Sequence, residues 1–176
     1  MATTTHLTID DFERLPAEMA ENHELVDGEL VPVSGNTFDH NSTRDLLIEL
    51  LRPVVRERDL GTVISEQEYD FDGNAHGPDI SFFRAEKTEM VERRKRVQRF
   101  VPDLAIEIVS THDTFNSLVT KKNRYRSCGT EEVWIISPES CEVLVYSTRG
   151  DRILREDAEL ATELIPGFRI PVKLLF

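Results

Sequence analysis

Leu104-Ala105-Ile106-Glu107-Ile108-Val109 is the segment that most restricts how this chain can fold. Apolar and β-branched residues alternate to both sides of a strand, so this one needs cover on both faces, as a central strand does. Glu107 sits within it. A buried carboxylate without a partner costs on the order of several kcal/mol or takes up a proton. It therefore calls for a cation, a hydrogen-bond donor or a raised pKa.

A second apolar run, Ile80-Ser81-Phe82-Phe83, is entered through Gly77-Pro78-Asp79. Lys121 and Tyr125 follow on a predicted helix over 113–127, closed by Gly129 in the C′ position. Two carboxylates and a lysine brought together by neighbouring strands would relieve the cost of burial by holding a divalent metal, an arrangement suited to phosphodiester hydrolysis. Each residue also has a plainer reading. Asp79 could be a strand-entry residue facing solvent, and Glu107 could pair with a structural arginine such as Arg124. On a helical wheel Phe115, Leu118, Val119 and Tyr125 define the inward face. Lys122 falls near its middle and Lys121 at its edge, so periodicity alone favours Lys122 as the buried lysine.

The rest of the chain punctuates clearly. Thr8 to Leu15 reads as a short helix with Thr8 as N-cap and Asp11 at the third position, stopped by Pro16. His23 to Val33 reads as a hairpin turning at Asp27-Gly28. His40 to Arg58 has helical spacing, with Pro53 expected to distort it. Thr62 to Phe71 reads as one strand, and 133–136 and 143–146 as two more. The order predicts an α/β (α+β) fold, a mixed central sheet flanked by helices with an N-terminal hairpin, over a single domain spanning 1–176.

Net charge is −12, which argues against a high-affinity, non-specific nucleic-acid binder. The charge is uneven. Between Arg84 and Arg99 the chain is net positive, with Arg93, Arg94, Lys95 and Arg96 in succession. Such a segment reads either as a mobile flap over a polyanionic substrate or as a solvated connection. No apolar run approaches membrane-spanning length, and Met1 to His6 lacks a basic segment followed by an apolar one. Cys128 and Cys141 read as reduced, packed thiols in a cytoplasmic protein.

These motifs, in this order, resemble the Uma-two family of small bacterial proteins, of the PD-(D/E)XK (restriction endonuclease-like) superfamily. The resemblance rests on Glu24-Leu25-Val26-Asp27-Gly28-Glu29-Leu30, His40, Pro78-Asp79-Ile80-Ser81, Pro102 to Ser110, Lys121 with Tyr125, Glu132 to Ile136, and Pro166-Gly167-Phe168-Arg169-Ile170. It implies a metal-dependent endonuclease acting on nucleic acid, DNA above all, with Asp79 and Glu107 binding Mg²⁺ or Mn²⁺. Two residues after Glu107, where the superfamily's basic form carries lysine, stands Val109. The resemblance moves the lysine to Lys121 on the next helix, and so selects Lys121 over Lys122. Asn116 and Thr111 replace the aspartate and proline common in the family. Glu24 and His40 are further candidates for the site. A homodimer follows only by analogy with the superfamily. The rival reading is a catalytically inactive nuclease fold that binds a partner.

Overall fold

Side-chain alternation along two adjacent strands places one core on each face of the main sheet. The computed structural model describes residues 6–33, 35–111 and 113–176. The stretch Met1–Thr5, inspected above for a leader, lies outside them. The elements are helices α1 (Ile9–Arg14), α2 (Ala17–Ala20), α3 (Phe38–Glu57) and α4 (Phe115–Ser127). The strands are β1 (His23–Val26), β2 (Glu29–Pro32), β3 (Gly61–Ser65), β4 (Glu68–Asp70), β5 (Ala75–His76), β6 (Ile80–Arg84) and β7 (Val97–Gln98). They continue with β8 (Leu104–Ile108), β9 (Glu132–Ser137), β10 (Glu142–Ser147), β11 (Arg152–Leu154), β12 (Glu159–Ala161) and β13 (Arg169–Pro171).

The main sheet is mixed, in the order β11-β10-β9-β8-β6-β3, with β8 and β9 parallel. Ile80 and Phe82 of β6 and Leu104, Ile106 and Ile108 of β8 point to one face, where they meet Leu47, Leu51 and Val55 of α3. Trp134 joins this core and stacks on Phe168, 6.0 Å between ring centres. Phe83 and Ala105 point to the other face, against Tyr69, Phe71, Phe100 and Tyr125. β8 is therefore covered on both sides, as its composition requires.

Local chemistry accounts for the elements. Thr8 and Asp11 form a reciprocal capping box at α1. Asp27 and Gly28 both take positive φ, 51° and 81°, which matches the twist of a two-residue hairpin. α3 runs on through Pro53 instead of breaking there. Pro53 lies on the exposed side with Glu49, whose carbonyl water can satisfy.

One expectation is corrected. Thr62 to Phe71 forms two strands in two different sheets, not one strand. Glu66 takes a φ of 54° and turns the chain out of the main sheet. β4 then enters a second sheet of order β2-β1-β5-β4-β7. The N-terminal hairpin is thus one edge of a five-stranded layer.

Candidate active site

β6 and β8 pair antiparallel with Ile80 opposite Ile106. One step further in that register, Asp79 stands opposite Glu107, and opposed residues project from the same face of a sheet. Asp79 Oδ2 accepts the Ile108 N–H at 2.7 Å. Asp79 Oδ1 lies 3.1 Å from Nε2 of His40, in the first turn of α3. Both carboxylate oxygens are thereby oriented. Burial works against a charged His40, but the hydrogen bond and charge of Asp79 outweigh it and raise its pKa. A cleft of about 320 Å³ opens at this point, with Glu24, His40, Asp79, Glu107 and Lys121 in its wall.

Glu107 is the strained member of the set. Burial pushes its carboxyl up to about 8; Lys121 opposes the rise, and the anions Asp79 and Glu24 add to it. Its Oε1 accepts from Tyr125 Oη at 2.6 Å. Burial, first of all, holds the Tyr125 hydroxyl well above its ordinary range, so it stays a donor. Among the described residues Glu107 Oε2 has only Lys121 Nζ, at 3.7 Å.

Lys121, Arg124 and Tyr125 share one side of α4, since residues three and four apart are neighbours on a helix. Lys121 Nζ donates to Glu24 Oε1 at 3.0 Å. Burial opposes its charge, but Glu107 and Glu24 outweigh burial and raise its pKa, so it remains an ammonium. Glu24, on β1, also accepts the Gly77 N–H at 3.3 Å and pairs with His76 Nδ1 at 3.0 Å. Burial opposes ionisation of Glu24, yet His76 and Lys121 hold its pKa down at about 2. His76 Nε2 lies 3.0 Å from Arg124 Nη1. Arginine can only donate, so Nε2 accepts and the imidazole proton sits on Nδ1, facing Glu24. Arg124 Nη2 reaches both oxygens of Asp27, at 2.9 and 3.1 Å.

Asp79, Glu107, Lys121, Glu24 and His40 therefore meet at one cleft. Lys122 does not. Its ammonium lies 4.6 Å from the ring centre of Tyr146, away from the carboxylates. The helical wheel erred because it took Phe115 as an inward residue. Phe115 is exposed and only Tyr125 of α4 is buried, so the packed stripe is narrower and is shifted toward Lys121. His76 was not singled out in the sequence. Its only signal is a position just before Gly77-Pro78-Asp79, which a solvent-facing histidine would share.

The basic segment departs from the expected flap. Residues 85–90 form a 3₁₀ helix, and β7 pairs parallel with β4. Asp103, buried, accepts from Arg84 Nη1 at 2.8 Å and from Lys87 Nζ at 2.9 Å. Lys95 Nζ pairs with Glu13 at 2.9 Å. Arg96 donates through Nη2 to Glu68 Oε1 at 2.7 Å and lies over the Phe12 ring at 4.2 Å. Arg99 pairs with Asp10 and Asp70. Arg93 and Arg94 are exposed and make no ion pair among the described residues. Arg96→Ser is expected to lower stability by about 1–3 kcal/mol, because it strips charged hydrogen bonds from half-buried Glu68. Arg93→Ser with Arg94→Ser should leave the melting temperature unchanged. If both arginines touch phosphates, the pair should also reduce the log–log salt slope of nucleic-acid binding by roughly 1.4–1.8.

Asp79 and Glu107 are donors of the kind a hard divalent cation takes. Among the described residues no three His, Cys, Asp or Glu side chains form a ready-made metal cage. Mg²⁺ is commonly held by one or two carboxylates plus water and substrate phosphate. Burial above all, with Asp79 and Glu24, raises the Glu107 pKa, and a cation beside it would favour the ionised form.

Comparison with known proteins speaks to the family and the fold. The family described as "Uma2: Putative restriction endonuclease" matches residues 9–173. A crystal structure of "a putative nuclease belonging to DUF820" from Anabaena variabilis ATCC 29413 superposes with a TM-score of 0.85 at 22% identity, covering 97% of each chain. At that identity the likeness speaks for the fold. A search of curated proteins gives no match. With nearly its whole length matched, this chain belongs to the Uma2 family and has the mixed-sheet, restriction endonuclease-like fold.

Proposed function

We propose that this protein is a divalent-metal-dependent nuclease, with DNA as its main substrate and Asp79, Glu107 and Lys121 as its working residues. The observation that carries the reading is the meeting of Asp79, Glu107 and Lys121 at one cleft, with Glu107 buried and short of positive charge. Asp79 and Glu107 would hold Mg²⁺ or Mn²⁺, which when bound polarises the scissile phosphate and acidifies a water.

The protein's own groups set the remaining terms. His40 and the Ile108 N–H fix the Asp79 carboxylate, and Tyr125 fixes that of Glu107. Glu24 holds Lys121 at the cleft wall as an ammonium, which suits it to stabilise charge developing on the phosphate rather than to act as a base. His76 in turn fixes Glu24. Hydrolysis then adds water oxygen to phosphorus and releases the leaving oxygen with a proton. A homodimer, presenting two sites to two strands, belongs to the same proposal by analogy only. Among the described residues no helix is long and apolar enough to cross a membrane.

The test is a panel of single- and double-stranded DNA and RNA with Mg²⁺ or Mn²⁺, run beside Glu107→Ala. Metal-dependent cleavage by the wild type and none by the variant is the expected result. Metal binding without cleavage of any substrate would favour the inactive, partner-binding reading, which the net charge of −12 suits.

A further inference from the structure

Lys121 reaches the cleft on a flexible four-carbon stem, and one hydrogen bond aims it. Its Nζ donates to Glu24 Oε1 at 3.0 Å, while Glu107 at 3.7 Å lies beyond hydrogen-bond length. Where the ammonium sits therefore depends on how Glu24 is held. Both Glu24 oxygens are engaged. Oε1 also accepts the Gly77 N–H at 3.3 Å, and Oε2 faces His76 Nδ1 at 3.0 Å. That second contact is a hydrogen bond only when Nδ1 carries the imidazole proton. With the proton on Nε2 alone, two lone pairs would face each other.

The packing around the ring does not make that choice. Phe71 and Tyr125 flank His76, with ring centres at 6.1 and 5.8 Å, and neither bonds to its nitrogens. Arg124 makes it, because its Nη1 lies 3.0 Å from Nε2 and can only donate. Asp27, on the hairpin turn, grips Arg124 through both carboxylate oxygens. The turn has anchors of its own. The Asp27 N–H donates to Asn74 Oδ1 at 2.7 Å, and the Asp27 carbonyl lies 2.9 Å from His6 Nδ1. The Asp27 side chain is 73% exposed, and an exposed ion pair adds little to stability. His76, Arg124 and Asp27 are not among the residues that line the cleft, so they act on it through Glu24 and Lys121.

We propose that Arg124, anchored by Asp27, is a positioning residue: it fixes the His76 proton on Nδ1, and through Glu24 that proton holds Lys121 Nζ at the cleft. This deepens the nuclease reading and rests on it for the work of Lys121, but not for how Lys121 is held.

The experiment compares full-length wild type with Arg124→Met, which keeps the stem and removes the donors. Nitrogen-15 NMR of the histidine rings reads the tautomer. His76 should show a protonated Nδ1 and a bare Nε2 in the wild type, and a protonated Nε2 in Arg124→Met. Acetylation by a water-soluble amine reagent, read by tandem mass spectrometry, reports how firmly Lys121 is held. Its labelling should speed up severalfold in the variant, with Lys122 unchanged. Cleavage should lose up to about 100-fold in kcat with KM unchanged, the cost of misplacing a working group by about 1 Å. His76→Asn puts an amide N–H where Nδ1 stands and has no tautomer to set. Arg124→Met added to His76→Asn should therefore alter neither Lys121 labelling nor kcat further. Arg124→Lys keeps the charge but replaces the fork with one nitrogen, and serves if Arg124→Met folds poorly. It should move the same readouts in the same direction.

Unchanged Lys121 labelling in folded Arg124→Met and in Arg124→Lys would overturn the proposal, whatever the tautomer. So would an equal loss of kcat when Arg124→Met is added to the wild type and to His76→Asn, which would make Arg124 act by another route. A changed tautomer and faster labelling, with no cleavage by the wild type, would uphold the relay and defeat only the nuclease reading.

Discussion

Lys121→Ala is expected to lower the cleavage rate by about 10²–10³, the usual cost of removing one preorganised donor from developing charge. Metal-dependent stabilisation should persist, since Asp79 and Glu107 remain. Lys122→Ala is the matched control. It removes a cation–π contact on Tyr146, worth about 0.5–1 kcal/mol, and should leave the rate within roughly twofold of wild type. Neighbouring lysines on one helix thus give opposite outcomes because one Nζ lies 3.0 Å from Glu24 and the other 4.6 Å from an aromatic ring centre. Equal losses in the two variants, or a loss at Lys122 alone, would remove Lys121 from the mechanism.

The second large effect is on stability and its pH dependence. Burial raises Glu107 to about 8 in the fold, against about 4.3 in an unfolded chain. The folded state therefore holds this proton more tightly, and the stability it brings is complete below about pH 4.3. That stability is lost as pH rises toward 8, with a slope of at most about 1.4 kcal/mol per pH unit. Glu107→Gln keeps an acceptor for Tyr125 and removes the titration. Metal-free Glu107→Gln should melt above the wild type at pH 8, by an amount corresponding to a few kcal/mol, and the gap should close toward pH 5. Glu24 has the opposite sign. Its pKa is held at about 2, so its contribution is present above the ordinary carboxylate range and is lost only in strong acid. The two windows do not overlap, and differential scanning at stepped pH separates them. Parallel melting curves for the two proteins from pH 5 to 8 would mean that Glu107 is not strained.

The sequence was most readable where local chemistry and tertiary demand agree. β8 could be recognised because five apolar residues around one glutamate, from Leu104 to Val109, leave few alternatives to a doubly covered strand. The α1 capping box and the Asp27-Gly28 turn are short-range devices that depend on few distant contacts. The break at Glu66 was hidden because no glycine or proline marks it, and a non-glycine residue at φ 54° depends on what surrounds it. The second sheet was hidden for a related reason. β5 and β7 are two residues long and carry almost no pattern, so their partners across the chain define them. The network through Glu24, His76, Arg124 and Asp27 links residues up to 97 apart, and no spacing rule reaches that far. The cations at 84–99 looked free in sequence because their partners, Glu13, Glu68, Asp70 and Glu131, come from other elements.

The central claim is that Asp79 and Glu107 jointly hold one divalent ion. The most direct measurement is the melting temperature of the wild type, Asp79→Asn and Glu107→Gln across a Mn²⁺ titration. A ligand at about 100 times its Kd adds roughly 2.7 kcal/mol to the state that binds it. The wild type should therefore show a saturable rise that both variants lack. An equal, unsaturated response in all three proteins would place the ion on the acidic surface and contradict the claim.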